Sequence, residues 1–142
     1  MPTKILLKMP LKTGWWSKTF LDIWKVNKLS GILYDTSVYI SALRQGNTST
    51  FTERRENNLP VWLSAVVLEE LYVGSQDRAL KKLLTKFEKD FEKINRLLVP
   101  IQTDWTTCGQ VLSSIGQKYG FDEVKKSRMT NDCLIAMSVA RN

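Results

Sequence analysis

Short apolar runs alternate with longer amphipathic segments from Gly31 to the end of the chain. The apolar runs within 32–35, 61–63 and 98–101 are typical of strands buried on both faces of a parallel sheet. The segments between them repeat apolar residues every three or four positions, most regularly over 77–97, and predict helices. Because strands alternate with helices, we predict an α/β fold with a parallel sheet flanked by helices.

Hydroxyl side chains stand where three of the predicted helices begin. The predicted N-caps are Thr36 or Ser37, then Ser64, and then Thr103. Asp35 precedes the first of them at the carboxyl end of a strand, where open α/β sheets commonly bind ligands. Asp-Thr-Ser is also an ordinary capping sequence, so Asp35 alone does not identify a site.

The charge is concentrated near the N-terminus. Of the net charge of +7, +5 falls within residues 1–30 and +2 within residues 31–142. This excess favours a polyanionic partner such as RNA, DNA or an acidic protein surface. We therefore divide the chain into a basic aromatic N-terminal extension, 1–30, and a single domain, 31–142.

The extension combines lysines with apolar residues near helical spacing, namely Trp15, Trp16, Phe20, Ile23 and Trp24. This pattern is typical of a basic amphipathic helix, which could touch a membrane surface, bind a partner or dock on the domain. A leader or an appended segment without a function of its own explains the same pattern.

The chain contains no histidine and two cysteines. The lack of histidine excludes Ser-His-Asp and Cys-His catalysis as well as imidazole metal ligation. Cys108 and Cys133 have no zinc-site spacing and fall on apolar helical faces, so we expect reduced core residues of a cytoplasmic protein. The apolar runs are too short for a membrane span. An enzyme of this composition would use carboxylates, hydroxyls, lysines or a metal.

Three acidic motifs resemble, in the same order, those of the PIN-domain family, in particular its VapC-type toxin ribonucleases. The motifs are Asp-Thr-Ser-Val at 35–38, Glu-Leu-x-x-Gly at 70–74 and Asn-Asp-x-Leu-Ile-Ala at 131–136. The similar region spans 31–142, and it implies a three-layer fold. Adjacent helical residues point about 100° apart. Glu70, which matches the motif, is therefore expected at the site, and its neighbour Glu69 in solvent.

The resemblance implies a metal-dependent endoribonuclease in which Asp35, Glu70 and Asp132 are the catalytic acids and hold Mg²⁺ or Mn²⁺. Such hard cations prefer oxygen ligands. Thr36 or Ser37 would orient a ligand or a water molecule. The implied partners are an RNA substrate and a small antitoxin protein, and a homodimer is left open.

Three basic side chains in a predicted loop are available to phosphate groups: Lys125, Lys126 and Arg128. Loop lysines are also commonly no more than solvated surface charge. Both interpretations stay open at this point.

The sequence departs from the family pattern at its end. PIN domains usually continue into a fourth strand, next to the first, and a further acid, whereas this sequence stops at Asn142. Neither Asp104 nor Glu123 matches the missing acid. We therefore expect a PIN-like domain that lacks the last strands. The alternative to a nuclease is an inactive remnant that acts as a protein- or RNA-binding module. A third candidate is an RNA-binding module of other ancestry, which leaves the three acids unexplained.

Overall fold

The computed structural model describes residues 31–53, 55–56, 59–126 and 129–141. The predicted extension, 1–30, lies outside the described residues. None of the described helices has both the length and the apolar character needed to cross a membrane. In chain order the elements are β1 (Ile32–Leu33), α1 (Thr36–Arg44), α2 (Ser49–Glu53), β2 (Arg55–Glu56), β3 (Leu59–Ser64), α3 (Ala65–Gly74), α4 (Arg78–Lys93), β4 (Leu97–Leu98), α5 (Gln102–Tyr119), α6 (Phe121–Lys126) and α7 (Met129–Arg141).

The sheet is built on β3, which pairs with each of the other three strands. β1 and β4 run parallel to β3, with Ile32 opposite Val61 and Leu97 opposite Leu63, while β2 is antiparallel. The predicted fold class, a parallel sheet flanked by helices, is therefore confirmed. Within the described part of the chain, β1 pairs with β3 alone.

The parallel strands are buried, as their apolar composition predicts. Leu33, Val61 and Leu63 have no exposed surface, which is typical of strands covered by helices on both faces. The third predicted strand, 98–101, is shorter and shifted to Leu97–Leu98. The chain leaves the sheet there because a proline follows at position 100 and α5 begins two residues later.

Asp35 itself caps α1, so the prediction of Thr36 or Ser37 as the N-cap is wrong. Asp35 has an extended backbone, and its Oδ1 accepts a hydrogen bond of 2.8 Å from the Thr36 amide. The predicted cap Ser64 is confirmed, since its Oγ accepts from the amide of Val66 at 3.2 Å. In both places an oxygen satisfies an amide that the first helical turn leaves without a partner.

The start of α5 also differs from the prediction. The N-cap is Ile101, not Thr103. Asp104, in the first turn, accepts a hydrogen bond from the Ile101 amide at 2.9 Å. Asp104 thus binds the amide of the N-cap residue itself, whereas no side-chain oxygen of the N-cap binds the amides of the first turn.

An aromatic cluster joins α1, α2 and α4 above the sheet. Its rings belong to Tyr34, Tyr39, Phe51, Phe87 and Phe91, with neighbouring centroids 5.0 to 6.1 Å apart. Burial raises the pKa of the Tyr39 hydroxyl, which donates a 2.7 Å hydrogen bond to a backbone carbonyl of β3. This bond satisfies the only polar atom of the Tyr39 side chain inside the core.

Cys108 on α5 and Cys133 on α7 are buried free thiols. The Cys133 thiol lies 3.9 Å from the Cys108 carbonyl, and the Cys108 thiol lies 3.8 Å from the Thr130 carbonyl. Burial raises the pKa of both thiols. The two cysteines therefore pack α7 against α5 as neutral core residues.

An ion pair between a buried aspartate and a partly exposed arginine fixes the other end of α7. Asp104 is 3% exposed and accepts hydrogen bonds from Arg141 Nε at 3.1 and 3.2 Å. Arg141 Nη2 also donates to the Val99 carbonyl at 3.1 Å. One guanidinium thus joins the C-terminal turn of α7 to the start of α5 and the segment before it.

We expect Arg141→Met to lower the free energy of unfolding by about 2 kcal/mol, because it leaves the Asp104 carboxylate buried without its cationic partner. The matched control is Lys93→Met. Lys93 makes a 3.9 Å surface pair with Asp90 and is 75% exposed, so its replacement should cost less than about 0.5 kcal/mol. Urea denaturation followed by circular dichroism measures both values. Equal losses in the free energy of unfolding in the two variants would contradict a stabilising role for the pair of Asp104 and Arg141.

Candidate carboxylate site

Asp35 is both a helix cap and a candidate site residue. It is half-buried beyond the end of β1, and each of its carboxylate oxygens accepts one hydrogen bond. Oδ1 accepts from the Thr36 amide, and Oδ2 accepts from Ser37 Oγ at 3.1 Å. These two bonds hold the carboxylate plane in one orientation at the edge of the sheet. The capping and site interpretations of the sequence are therefore compatible.

Glu70 lies on α3 and receives a hydrogen bond from each of two other helices. Thr36 Oγ1, on α1, donates to Oε2 at 2.5 Å, and Asn131 Nδ2, on α7, donates to Oε1 at 2.8 Å. Glu70 is half-buried, whereas the adjacent Glu69 is exposed. This difference in exposure agrees with helical geometry, in which adjacent side chains point about 100° apart.

Asp132 lies in the first turn of α7 and is half-buried. Its pKa is raised from 3.8 to about 6, first by burial and then by the negative charges of Glu70 and Asp35. Glu70 accepts hydrogen bonds from Thr36, the residue after Asp35, and from Asn131, the residue before Asp132. These bonds place the three predicted acids in one region of the protein.

The parallel sheet accounts for this meeting of distant residues. Because β1 and β3 run in the same direction, their carboxyl ends lie at the same edge. Asp35 follows β1 directly, and α3, which carries Glu70, begins directly after β3. α7 then places Asn131 and Asp132 against the same edge.

A cavity of about 560 Å³ opens beside the acids, between α1, α3 and α7. One part of its wall is polar and includes Glu70, and another part is apolar. It is lined by Thr36, Ile40, Glu69, Glu70, Val73, Gly74, Thr130 and Asn131. The cavity thus gives a polar ligand direct access to the Glu70 carboxylate and to the side chains that hold it.

The donor chemistry of the site fits a hard divalent cation. Asp35, Glu70 and Asp132 supply carboxylate oxygens, and a bound cation would offset the repulsion that raises the Asp132 pKa. The side-chain positions are less suited to an ion. Within the described residues, no group of three or more acidic or cysteine side chains is arranged closely enough to hold one.

The other predicted site residues have different placements. Thr36 and Ser37 face the acids, and their hydroxyls bind Glu70 and Asp35 respectively. Lys125 is exposed on α6, so the predicted loop is partly a helix there. The Lys126 side chain and Arg128 lie outside the described residues.

Asn131 has a role at the site that the motif alone did not reveal. Asn131 is the first residue of the Asn-Asp-x-Leu-Ile-Ala motif, and the motif by itself assigns it no function. Its amide is bound to Glu70, 61 residues earlier in the chain. The local signal was its position beside Asp132 at the start of a helix, but the sequence contains no indication of its distant acceptor.

No protein-family model, curated protein or solved structure matches this chain. The resemblance to PIN domains therefore depends on the three motifs and on the order of the elements.

We expect Asp132→Asn to stabilise the metal-free protein above pH 6. A raised pKa means that the folded chain binds this proton more tightly than the unfolded chain does. Ionisation of Asp132 therefore costs stability as the pH rises from about 4 to about 6. Allowing for partial exposure, the variant should gain roughly 1–2 kcal/mol at pH 7 and little at pH 3.5.

Urea denaturation between pH 3.5 and pH 8 in the presence of EDTA measures this difference. Glu92→Gln removes an exposed carboxylate outside the site and controls for the loss of one negative charge. A stability difference between wild type and Asp132→Asn that does not change with pH would contradict the predicted coupling of the three acids.

Proposed function

We propose that the chain is a PIN-type, metal-dependent endoribonuclease. The observation that carries the proposal is the meeting of Asp35, Glu70 and Asp132, from three separate helices or helix caps, near enough for two of them to raise the pKa of the third. A fold seldom gathers like charges at a sheet edge unless a cation or a reaction uses them. The three motifs and their order add support from the sequence.

The acids would hold Mg²⁺ or Mn²⁺, and their oxygen donors suit either ion. When bound, the cation would lower the pKa of a coordinated water and neutralise charge on the attacked phosphate. The Thr36 amide and the Ser37 hydroxyl keep the Asp35 carboxylate oriented at the edge of the sheet. The adjoining cavity has room for a nucleotide beside the Glu70 carboxylate.

The substrate charge is matched by basic residues. Lys125 is exposed on α6, and it would contact phosphate groups together with the neighbouring Lys126 and Arg128. The net charge of +7 would increase the rate of encounter with RNA and make binding weaker at high salt. A toxin-type ribonuclease of this kind would act in the cytoplasm and be inhibited by a small antitoxin protein.

A second candidate function is a PIN-like module that binds RNA or protein without cutting it. Two observations favour it. Both Glu70 oxygens already accept hydrogen bonds from the protein, and no group of acids within the described residues is arranged to hold an ion. The two functions predict the same RNA binding and differ in hydrolysis.

We expect the full chain to cleave a folded RNA that has both stems and unpaired loops when Mg²⁺ or Mn²⁺ is present. Cleavage should stop when EDTA removes the metal. Asp35→Asn should lower the cleavage rate at least ~100-fold, because it removes a carboxylate from the proposed ligand set. Asparagine is also a good N-cap, so α1 should remain folded. Gel electrophoresis of end-labelled RNA measures the rate.

Glu92→Gln is the control for this experiment, since it changes an exposed carboxylate distant in sequence from the three motifs, and it should cleave as the wild type does. If the RNA stays equally intact with wild type and with Asp35→Asn in the presence of metal, the proposed nuclease activity is rejected. If the wild type nevertheless retards the RNA in a native gel, the binding module becomes the better assignment.

A further inference from the structure

One carboxylate connects three helices at the candidate site. Glu70, on α3, accepts one hydrogen bond from Thr36 on α1 and one from Asn131 on α7, at 2.5 and 2.8 Å. The two bonds use different oxygens of the same group. Thr36 is 34 residues before Glu70 in the chain and Asn131 is 61 residues after it. We call this arrangement the Glu70 clamp.

The two donors of the Glu70 clamp are sequence neighbours of the other two acids. Thr36 follows Asp35, and Asn131 precedes Asp132. Adjacent Cα atoms are 3.8 Å apart, so a donor held in place also restricts the position of the acid beside it. Glu70 is therefore connected, through one neighbouring residue on each side, to Asp35 and to Asp132.

We propose that Thr36 and Asn131 are positioning residues that use the Glu70 carboxylate to set the spacing of the three acids. The inference rests on the proposed function and deepens it, because it separates the residues that would contact the cation from those that keep these ligands together. Asn131 in particular would act through Glu70.

The surroundings of the Glu70 clamp show why hydrogen bonds are needed there. The cavity of about 560 Å³ occupies the space between α1, α3 and α7, so tight packing of side chains does not hold the helices together at this point. Val73, one turn from Glu70, is 74% exposed. Three like charges also tend to separate. The two charge-assisted hydrogen bonds oppose that separation, and they are stronger than bonds between neutral groups.

The Glu70 clamp also explains the half-buried position of Glu70. A carboxylate with a long side chain has three torsions to restrict, and it loses that freedom only where fixed partners compensate. Here each oxygen has one fixed donor. Its remaining lone pairs stay available for a cation or a water molecule.

The test compares variants that remove a donor with little change in shape. Thr36→Val removes the hydroxyl, Asn131→Leu removes the amide, and Thr36→Ser retains the hydroxyl. Thr106→Val is the control, because Thr106 is exposed on α5, does not line the cavity, and its hydroxyl donates to the Gln102 carbonyl of its own helix. Mn²⁺ affinity is measured by titration calorimetry on the full chain, and RNA cleavage is measured as kcat and KM.

We expect Thr36→Val and Asn131→Leu each to weaken Mn²⁺ binding by roughly 10- to 100-fold, the usual effect of removing a group that orients a ligand. The same variants should lower kcat while KM changes less than about threefold, because RNA contacts outside the site are retained. Thr36→Ser and Thr106→Val should stay within about threefold of the wild type. A general loss of structure at position 36 would not be rescued by serine there.

A double-mutant cycle identifies the route of the effect. In a Glu70→Ala background, the further change Asn131→Leu should alter Mn²⁺ affinity less than about twofold, because the shared acceptor is gone. An undiminished effect in that background would show that Asn131 acts independently of Glu70 and would overturn the inference.

The results also separate this inference from the proposed function. A wild type that binds Mn²⁺ through the Glu70 clamp and leaves RNA intact would reject the nuclease and retain the positioning role. A wild type that cleaves RNA, with both donor variants unchanged in Mn²⁺ affinity and kcat, would reject the positioning role and retain the nuclease. A wild type that binds no Mn²⁺ would overturn both.

Discussion

The hydrogen bonds between β3 and its two parallel neighbours determine where the candidate carboxylate site lies. A buried strand must satisfy its amides and carbonyls on both sides, and β3 does so with β1 and β4, both parallel to it. Parallel strands require helical crossovers, and they bring their carboxyl ends to one edge. That edge receives Asp35 from the end of β1 and Glu70 from the helix that follows β3. Without parallel pairing, these acids would lie at opposite ends of the sheet.

The three carboxylates repel one another, and hydrogen bonds stabilise two of them. Hydrogen-bond donors from the backbone, from two hydroxyls and from one amide bind Asp35 and Glu70. At Asp132, burial and the negative charges of Glu70 and Asp35 raise the pKa of the carboxyl group. The site therefore combines two restrained carboxylates with one whose ionisation is costly. Such a combination would be stabilised by a bound cation.

Several residues serve the fold and the site at once. Asp35 caps α1 while it presents a carboxylate at the edge of the sheet. Thr36 begins that helix and also binds Glu70. At the far end of α7, the pair of buried Asp104 and partly exposed Arg141 fixes the helix that carries Asn131 and Asp132. The position of the acids thus depends on contacts at both ends of α7.

The fold class followed from the sequence alone, because hydrophobic periodicity reports burial and is a local property. The apolar runs predicted β1, β3 and the neighbourhood of β4, and the three- and four-residue spacing predicted α4. The cap at Ser64 was also predicted, since the acceptor and the amide are two residues apart. The predicted caps Thr36, Ser37 and Thr103 were wrong, because local preference does not show which nearby residue takes the N-cap position. Asp35 caps α1, and Ile101 is the N-cap of α5.

The sequence by itself determined the alternation of strands and helices and the presence of three acids in short motifs. Only the tertiary structure decided which side chains meet. The Glu70 clamp joins residues 34 and 61 positions apart, and Arg141 reaches Asp104 across 37 positions. Such pairs leave no periodic trace in a single sequence, because a hydrogen bond between distant residues depends on how the elements pack. The hydrogen bond of Asn131 to Glu70 is likewise decided by the tertiary structure, since the two residues meet only when α3 and α7 approach the same edge of the sheet.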